Sequence, residues 1–152
     1  MTQELDIYYT VDKTVSKTSP LEFHKKNAAT DLRSSIDWVL MPNETKLVTT
    51  SHKMIIPEGY CGIISSRSGL ALKHSIFVLN SVGLIDPSYR GNIGIILHNA
   101  SHHQFTIRKD DRVAQIIFMK YEMPNFLEID GGDFEEYSTE RGSNGFGSSG
   151  VK

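Results

Sequence analysis

The sequence has little cysteine and no long apolar run, and both features exclude classes of protein. Cys61 is the one cysteine in 152 residues, so no disulfide can form within the chain and a buried, inert thiol in a reducing compartment is expected. No apolar run approaches the roughly 18 residues of a membrane-spanning helix. Residues 1–10 are polar and acidic, unlike a signal peptide. Together these features predict a cytoplasmic protein, or a nuclear or other host-intracellular one if the source is viral or eukaryotic.

The chain also lacks an excess of charge of either sign. Sixteen Lys and Arg residues stand against eighteen Asp and Glu residues, for a net charge of −2. Proteins that bind nucleic acid or anionic membranes usually present a strongly basic surface. The composition therefore predicts no nucleic acid and no membrane as a partner, although a local basic pocket remains compatible with it.

Short apolar runs are what the sequence has in place of long ones. Most contain four to seven residues, are rich in Ile, Val, Phe and Tyr, and are separated by turn residues. This pattern predicts an all-β sandwich or barrel. The runs are 47–48, 54–56, 60–65, 75–79, 93–97, 104–107 and 113–119, with alternation at Leu5, Ile7 and Tyr9. One short helix is predicted over Arg67–His74, capped by Ser66 or Ser68.

The last 23 residues, 130–152, differ in composition from the rest. Residues 130–137 are acidic and predict a solvated hinge, and residues 141–150 contain four Gly and three Ser. Such a segment predicts a mobile arm. Its glycines would let backbone N–H groups turn towards an anion, with Arg141 adding charge and Phe146 an aromatic face. A plain flexible terminus is the alternative interpretation.

Two further segments suggest chemistry on phosphates. Ser66-Arg67-Ser68-Gly69 opens the predicted helix and offers donors to an anion, although an ordinary helix start with a surface arginine has the same pattern. Asp86 follows an apolar strand and could act as a general base on water, although Asp before Pro is also a common turn. His98, His102 and His103 resemble a metal-ligand spacing, but exposed turn histidines are the favoured interpretation.

Five segments in one order narrow these possibilities. The chain resembles the trimeric all-β dUTP pyrophosphatases, or dUTPases, in all five. They are Ala28–Leu32, Ser66–Ala71, Asn80 with Gly83–Gly91, Asp111–Gln115 and Arg141–Ser148.

The resemblance implies a fold and an assembly. The expected fold is a distorted jelly-roll-like β-barrel with one short helix and a flexible Gly/Ser-rich C-terminal arm. Residues 1–129 would form the β domain, and residues 130–152 the hinge and the arm that completes a neighbouring subunit's site. The expected partners are the small molecule dUTP and two further copies of the chain, in a homotrimer.

The resemblance also implies a reaction, the Mg²⁺-dependent hydrolysis of dUTP to dUMP and pyrophosphate. Asp86 would be catalytic, activating the water that attacks the α-phosphate. Asp31 and Gln115 would hold the water shell of the Mg²⁺ ion. The substrate-binding residues implied are Arg67, Ser68, Gly69, Asn80, Gly83, Leu84, Ile85, Tyr89, Gly94, Gln115, Arg141, Phe146, Gly147 and Ser148.

Two alternatives stay open at this stage. An enzyme of the same fold could deaminate dCTP, which would release ammonia. A nucleotide-binding regulatory protein could act mainly by docking a protein partner, and the presence of Asp86 argues only against a binder without catalytic groups.

Overall fold

The computed structural model describes residues 4–14, 20–80 and 82–145. Within these ranges the chain forms eleven short strands and two short helices, which confirms the all-β class. The strands are β1 Tyr8–Val11, β2 Thr30–Arg33, β3 Trp38–Leu40, β4 Thr45–Thr49, β5 His52–Ile55, β6 Tyr60–Ser65, β7 Ile76–Val78, β8 Gly83–Ile85, β9 Gly94–Asn99, β10 Phe105–Ile107 and β11 Arg112–Lys120. The helices are α1 Ser68–His74 and α2 Gly131–Glu135.

The strands pair in four antiparallel sheets. Their orders are β2-β11-β6-β8, β4-β9-β7, β1-β5 and β3-β10, and among the described residues they do not join into one closed ring. Alternate residues of the longer strands are buried, as in the pattern of β9, because successive side chains point to opposite faces. The core between the sheets is aliphatic, with Leu32, Ile64, Ile95, Leu97 and Ile116 almost fully buried. Each such side chain contributes roughly 1.5–3 kcal/mol of burial free energy.

Register in the four-stranded sheet brings three distant segments together. Gln115 on β11 pairs with Asp31 on β2 and with Ser65 on β6. Residues paired in this way have Cα atoms about 4.5–5.5 Å apart and project their side chains from the same face. Strand pairing alone therefore places Asp31, Gln115 and the end of β6 side by side.

Helix α1 begins where the sequence predicts it, but without the predicted cap. Arg67 is the N-cap residue, in an extended conformation, and no side chain caps the helix. The Ser66 hydroxyl instead accepts a hydrogen bond of 2.8 Å from the backbone N–H of Val78. Ser75 ends the helix in the left-handed region, at φ 55°. Ser66 therefore ties the start of the helix to β7 rather than capping it.

The chain divides into two compact units after Glu122. In the second unit, α2 occupies part of the segment that the sequence assigns to a solvated hinge. Asp130 caps this helix by accepting a 2.8 Å hydrogen bond from the N–H of Gly132. The sequence did not predict this helix because Gly131 and Gly132 are poor helix formers, and the Asp130 cap is the one local feature that favours it. No helix in the described ranges is long and apolar enough to cross a membrane.

Candidate functional site

A polar pocket of about 740 Å³ lies where β2, β11, the end of β6 and the start of α1 meet. We call it the Arg67 pocket. It contains five of the residues that the sequence assigns to phosphate and metal binding. Its lining residues are Lys26, Asn27, Ala28, Ala29, Asp31, Ser65, Arg67, Ser68, Gly69, Arg112, Gln115 and Ile117.

An ion-pair cluster occupies the Arg67 pocket. The Nε of Arg67 lies 2.9 Å from Oδ1 of Asp31, and Nη1 of Arg112 lies 3.5 Å from the other carboxylate oxygen. Arg67 also donates a 3.2 Å hydrogen bond to the backbone oxygen of Arg112. Lys26 adds a third cation to the pocket. Three cations against one carboxylate leave a net positive charge, which suits a polyanionic ligand.

Gln115 is oriented by the backbone. Its Nε2 donates a 3.1 Å hydrogen bond to the carbonyl oxygen of Ser66. That bond assigns the amide nitrogen to the protein and leaves the side-chain oxygen as an acceptor, on a residue that is paired with Asp31 in the β2–β11 register. Gln115 can therefore accept from a hydrated cation.

A second pocket, of about 240 Å³, lies at the connection between β8 and β9. We call it the Tyr89 pocket. It contains five further residues that the sequence assigns to the site, from Leu84 to Gly94. Its lining residues are Leu47, Thr49, Leu84, Ile85, Asp86, Tyr89, Asn92 and Gly94.

The connection from Gly83 to Gly94 is not a hairpin between β8 and β9. Strand β8 pairs with β6, whereas β9 pairs with β4 and β7. A turn closed by the N–H of Tyr89 and the carbonyl oxygen of Asp86, 3.1 Å apart, diverts the chain after β8. The two ends of the segment thus belong to different sheets, and the Tyr89 pocket lies between them.

Asp86 is exposed in the Tyr89 pocket. Within the part of the chain that the structure describes, its carboxylate has no hydrogen bond or ion pair to another side chain. A carboxylate left free in this way can accept a proton from a water molecule brought within about 2.6–3.2 Å. Asp86 therefore closes a turn through its backbone carbonyl, while its carboxylate stays available to a ligand.

Tyr89 is held by its own loop. Its hydroxyl donates a 2.9 Å hydrogen bond to the carbonyl oxygen of Asn92, and its ring lies against Gly91, where any Cβ would overlap it. A side chain at position 91 would therefore force the Tyr89 ring to move. The hydroxyl bond and this close approach place the ring as one wall of the pocket.

Asn80 and the glycines Gly83 and Gly94 lie around the same connection. Gly83 is buried on β8, where a Cβ would lie 3.1 Å from the Cβ of Ile64 and 3.7 Å from Nδ2 of Asn80. A Cβ at Gly94 would lie 2.8 Å from the end of the Leu47 side chain. The two glycines therefore allow the Ile64 and Leu47 side chains to pack directly against the backbone beside this connection.

The two pockets meet the four-stranded sheet at different places. Gln115 pairs with Ser65, whereas Ile85, which precedes Asp86, pairs with Gly62. These positions are about 10 Å apart along the strands and about 10 Å apart across them, which is roughly 14 Å in total. Among the described residues the pockets share no lining side chain.

Arg141 lies in the second unit, where its Nε donates a 3.0 Å hydrogen bond to the carbonyl oxygen of Asn144. Phe146, Gly147 and Ser148 lie outside the described residues. The roles predicted for these four residues stay predictions.

The cysteine and the three histidines that the sequence singles out lie away from both pockets. Cys61 is buried, as predicted. His102 and His103 are exposed, but His98 lies on β9 rather than in a turn, 3.0 Å from the Thr45 hydroxyl. Across the described ranges, no three His, Cys, Asp or Glu residues are grouped to hold a metal ion.

Sequence reasoning missed several pocket residues, among them Arg112, Lys26 and Asn92. Arg112 lies within the fourth motif, and its positive charge could have marked it as a phosphate-binding residue. The positive charge of Lys26, just before the first motif, could have done the same. Asn92 carried no signal, because its contribution comes from packing beside Tyr89.

Comparison with known proteins identifies the family. The dUTPase family model matches residues 16–150. The chain belongs to the dUTPase family. It is 40% identical over 151 residues, 99% of either chain, to the deoxyuridine 5'-triphosphate nucleotidohydrolase of Fowlpox virus (strain NVSL). It is also 40% identical to the Mus musculus enzyme over 133 residues, 88% of this chain and 78% of that one.

Solved structures agree with the sequence relatives. The dUTPase of Staphylococcus bacteriophage 80alpha, solved with dUPNHPP, superposes with a TM-score of 0.83 at 28% identity, covering 96% of this chain and 99% of that one. This similarity confirms the jelly-roll-like β fold. The chain is a nucleotide hydrolase of the dUTPase family, and its reaction is the hydrolysis of dUTP.

Proposed function

We propose that this chain hydrolyses dUTP to dUMP and pyrophosphate with Mg²⁺, by attack of a water molecule on the α-phosphate. The observation that carries the proposal is the presence of two complementary pockets in a dUTPase-family chain. The Arg67 pocket has the charge for a triphosphate, and the Tyr89 pocket has a free carboxylate beside an aromatic wall. Such a reaction removes dUTP before it enters DNA and supplies dUMP for thymidylate synthesis.

The residues of the Arg67 pocket fit a hydrated Mg²⁺ ion that arrives with the substrate. Mg²⁺ is usually bound by one or two carboxylates, substrate phosphates and several waters rather than by an all-protein cage. Asp31 and the free oxygen of Gln115 are the acceptors for its water shell. When bound, the ion neutralises phosphate charge and orients the chain of phosphates.

The cations bind the triphosphate. Arg67 and Arg112 both pair with the Asp31 carboxylate in the ion-pair cluster described above. Both guanidinium groups therefore lie in the Arg67 pocket. The guanidinium of Arg67 can bridge two phosphate oxygens, and the Ser68 hydroxyl and the Gly69 backbone add neutral donors. From another copy, Arg141 binds the terminal phosphate.

Asp86 accepts the proton from the attacking water. Loss of that proton makes the water nucleophilic, and the bond between the α-phosphorus and its bridging oxygen breaks to release pyrophosphate. No covalent intermediate with the protein is required. Phe146 closes over the uracil and excludes water, which strengthens the polar contacts inside.

Asn80, Gly83 and Gly94 bind the uracil edge, and Leu84 and Ile85 pack beside it. Cytosine presents a donor where uracil presents an acceptor, so a buried group would be left unpaired. The Tyr89 ring lies against the deoxyribose and leaves no room for a 2′-hydroxyl.

We further propose that each site is shared between copies in a homotrimer. The roughly 14 Å between Gln115 and Ile85 on the sheet keeps the catalytic base of one chain away from its own Arg67 pocket. Exposed apolar side chains on the same outer face, Leu84 and Met119, offer a surface for a second copy. Joining the Arg67 pocket of one copy to the Tyr89 pocket of the next unites both halves.

The reaction is tested with purified chain, Mg²⁺ and each of dUTP, dCTP and dTTP. The expected result is dUMP and pyrophosphate from dUTP alone, abolished by chelation. Ammonia released from dCTP would instead establish the deaminase alternative. Nucleotide binding without any product would support a regulatory binder.

Site sharing is tested by mixing two variants, Arg67→Ala and Asp86→Asn, and by assaying them at a dUTP concentration far below KM, where each variant alone has little activity. After subunit exchange, a working site needs its Arg67 from an Asp86→Asn chain and its Asp86 from an Arg67→Ala chain. Random trimers formed from equal amounts satisfy this in about one quarter of sites. Activity should rise towards about a quarter of wild type. If both groups came from one chain, the mixture would stay inactive after demonstrated exchange.

A further inference from the structure

Asp12 follows β1 and is the centre of a hydrogen-bond cluster behind the Tyr89 pocket. Its Oδ1 accepts from the Thr14 hydroxyl at 2.6 Å and from the Thr14 backbone N–H at 3.0 Å. Its Oδ2 lies 3.2 Å from Nζ of Lys53 and accepts a 3.2 Å hydrogen bond from Nδ2 of Asn92. Only 13% of the Asp12 side chain is exposed, so these bonds replace most of its contact with water.

Asn92 connects this cluster to Tyr89. Its side chain reaches back to Asp12, while its backbone carbonyl accepts the Tyr89 hydroxyl at 2.9 Å. Asn92 also lines the Tyr89 pocket beside Asp86. One residue therefore carries a mechanical link from the first strand to the aromatic wall.

One hydrogen bond, from Nδ2 to Asp12, orients the Asn92 side chain. The Oδ1 atom of Asn92 is buried and has no hydrogen-bond partner among the described residues. Leaving a buried acceptor without a partner is costly. No bond to Oδ1 therefore helps to orient this amide. The bond from Nδ2 to Asp12 is what determines its orientation.

The charge state of Asp12 supports the same role. The Thr14 hydroxyl, the Asn92 amide and the Lys53 ammonium hold the pKa of the Asp12 carboxyl well below its ordinary value. Asp12 is therefore ionised at neutral pH. Hydrogen bonds to an ionised acceptor are shorter and stronger than neutral ones.

We propose that Asp12 is a positioning residue for sugar selection: through Asn92 it fixes Tyr89, and thereby sets how strongly the chain prefers deoxyribose to ribose. This inference rests on the proposed function, in which the Tyr89 ring excludes a 2′-hydroxyl. Exclusion of one hydroxyl is a matter of fit, and sites of this kind need their side chains held within about 0.5 Å. The turn from Asp86 to Tyr89 belongs to a connection between two sheets, so its position depends on such ties.

The test compares the ratio of kcat/KM for dUTP to kcat/KM for UTP. Asp12→Ala removes the tie, and the ratio should fall about tenfold, out of the roughly 100-fold that steric rejection of an added hydroxyl can supply. Glu44→Ala is the matched control, because Glu44 likewise accepts from a backbone N–H, that of Met41 at 2.7 Å, and pairs with a lysine, Lys46 at 3.1 Å. It lines neither pocket, and its ratio should equal that of wild type.

A second variant separates positioning from simple loss of stability. Asn92→Ala removes the amide but leaves Asp12 its bonds to Thr14 and Lys53, so it should lower the ratio as much as Asp12→Ala does. The double variant Asp12→Ala/Asn92→Ala should lower it no further, since both changes cut one path. A fall that is additive would overturn the proposed path.

The outcomes distinguish this inference from the function beneath it. A wild-type chain that fails to hydrolyse dUTP would overturn both. A wild-type chain that prefers dUTP to UTP, with the same preference in Asp12→Ala and Asn92→Ala, would overturn only the role of Asp12. Should Asp12→Ala fail to fold, Asn92→Ala decides alone against Glu44→Ala.

Discussion

The Arg67 pocket and the Tyr89 pocket are built in different ways. The first takes Asp31 and Gln115 from paired strands of one sheet, and Arg67 from the second residue after the neighbouring strand β6. The second takes Asp86 and Tyr89 from a connection between two sheets. Strand register positions the first set directly, whereas the second needs hydrogen bonds back to the fold, from the Tyr89 hydroxyl and the Asn92 amide. Side chains on regular elements are held more precisely than those on loops, so the loop carries the additional ties.

The largest expected effect is on kcat, and it comes from a change in the Tyr89 pocket alone. Asp86→Asn keeps the size of the side chain but removes its basicity, so kcat should fall about 10²–10⁴-fold. KM for dUTP should change little, because the Arg67 pocket is intact. Glu58→Gln makes the same chemical change at an exposed turn position and should keep wild-type rates. A variant Asp86→Asn with more than about a third of wild-type kcat, against that expectation, would contradict the role of the base.

A change in the Arg67 pocket should act mainly on KM. Arg67→Gln removes a charged hydrogen bond of about 1.5–3 kcal/mol, which corresponds to roughly a 10–100-fold rise in KM for dUTP. Arg108→Gln is the control, since Arg108 is exposed and pairs with Asp37 at 3.2 Å outside either pocket. Steady-state kinetics measures both. An Arg67→Gln variant with wild-type KM would remove this residue from the triphosphate site.

A moderate effect concerns the segment after Arg141, proposed to cover both pockets of neighbouring copies. Cleavage by trypsin after Arg141 should slow severalfold when an uncleaved dUTP analogue and Mg²⁺ are added, because the bound triphosphate pairs with its guanidinium. The matching dCTP analogue should not protect. Mass spectrometry of the C-terminal fragment follows the cleavage. Equal rates with both analogues would exclude a role of this segment in covering the nucleotide.

The smallest effect concerns stability, at the Asp37–Arg108 ion pair outside both pockets. The backbone N–H of Lys109 and the guanidinium of Arg108 hold the pKa of the Asp37 carboxyl below its ordinary value of about 4. A carboxyl with a lowered pKa in the folded state stabilises the fold above that ordinary value and loses this contribution as the pH falls from that value through the lowered one. The free energy of unfolding should therefore fall less steeply in Asp37→Asn than in wild type as the pH is lowered below about 5. Denaturant titrations at several pH values measure this, and equal slopes would refute it.

Most strands were predictable because their hydrophobic pattern is strong. The runs at 60–65 and 113–119 correspond to β6 and β11, which form the centre of the large sheet. Strands β2 and β3 were missed. They contain four and three residues, and β2, TDLR, has two charged side chains. Such segments become strands through pairing with β11 and β10 rather than through their own preference.

The sequence predicted which residue types line the pockets, but it did not predict which of these residues lie together in each pocket. Arg67, Asp86 and Gln115 carry chemistry that local sequence reveals. The helix cap at Arg67, the separate sheets of β8 and β9, and the ties of Asn92 depend on contacts between residues far apart in the chain. Contacts of that kind leave no local pattern.

The sequence by itself determined the all-β class, the helix near Arg67 and the family, because hydrophobic alternation and short motifs are local properties. Only the tertiary structure decided that Asp31 and Gln115 face each other, that Asp86 lies in another pocket, and that Asp12 is bonded to Asn92. The physical reason is that strand register and buried hydrogen bonds are set by the whole fold, since a side chain finds its partner only after distant segments have packed.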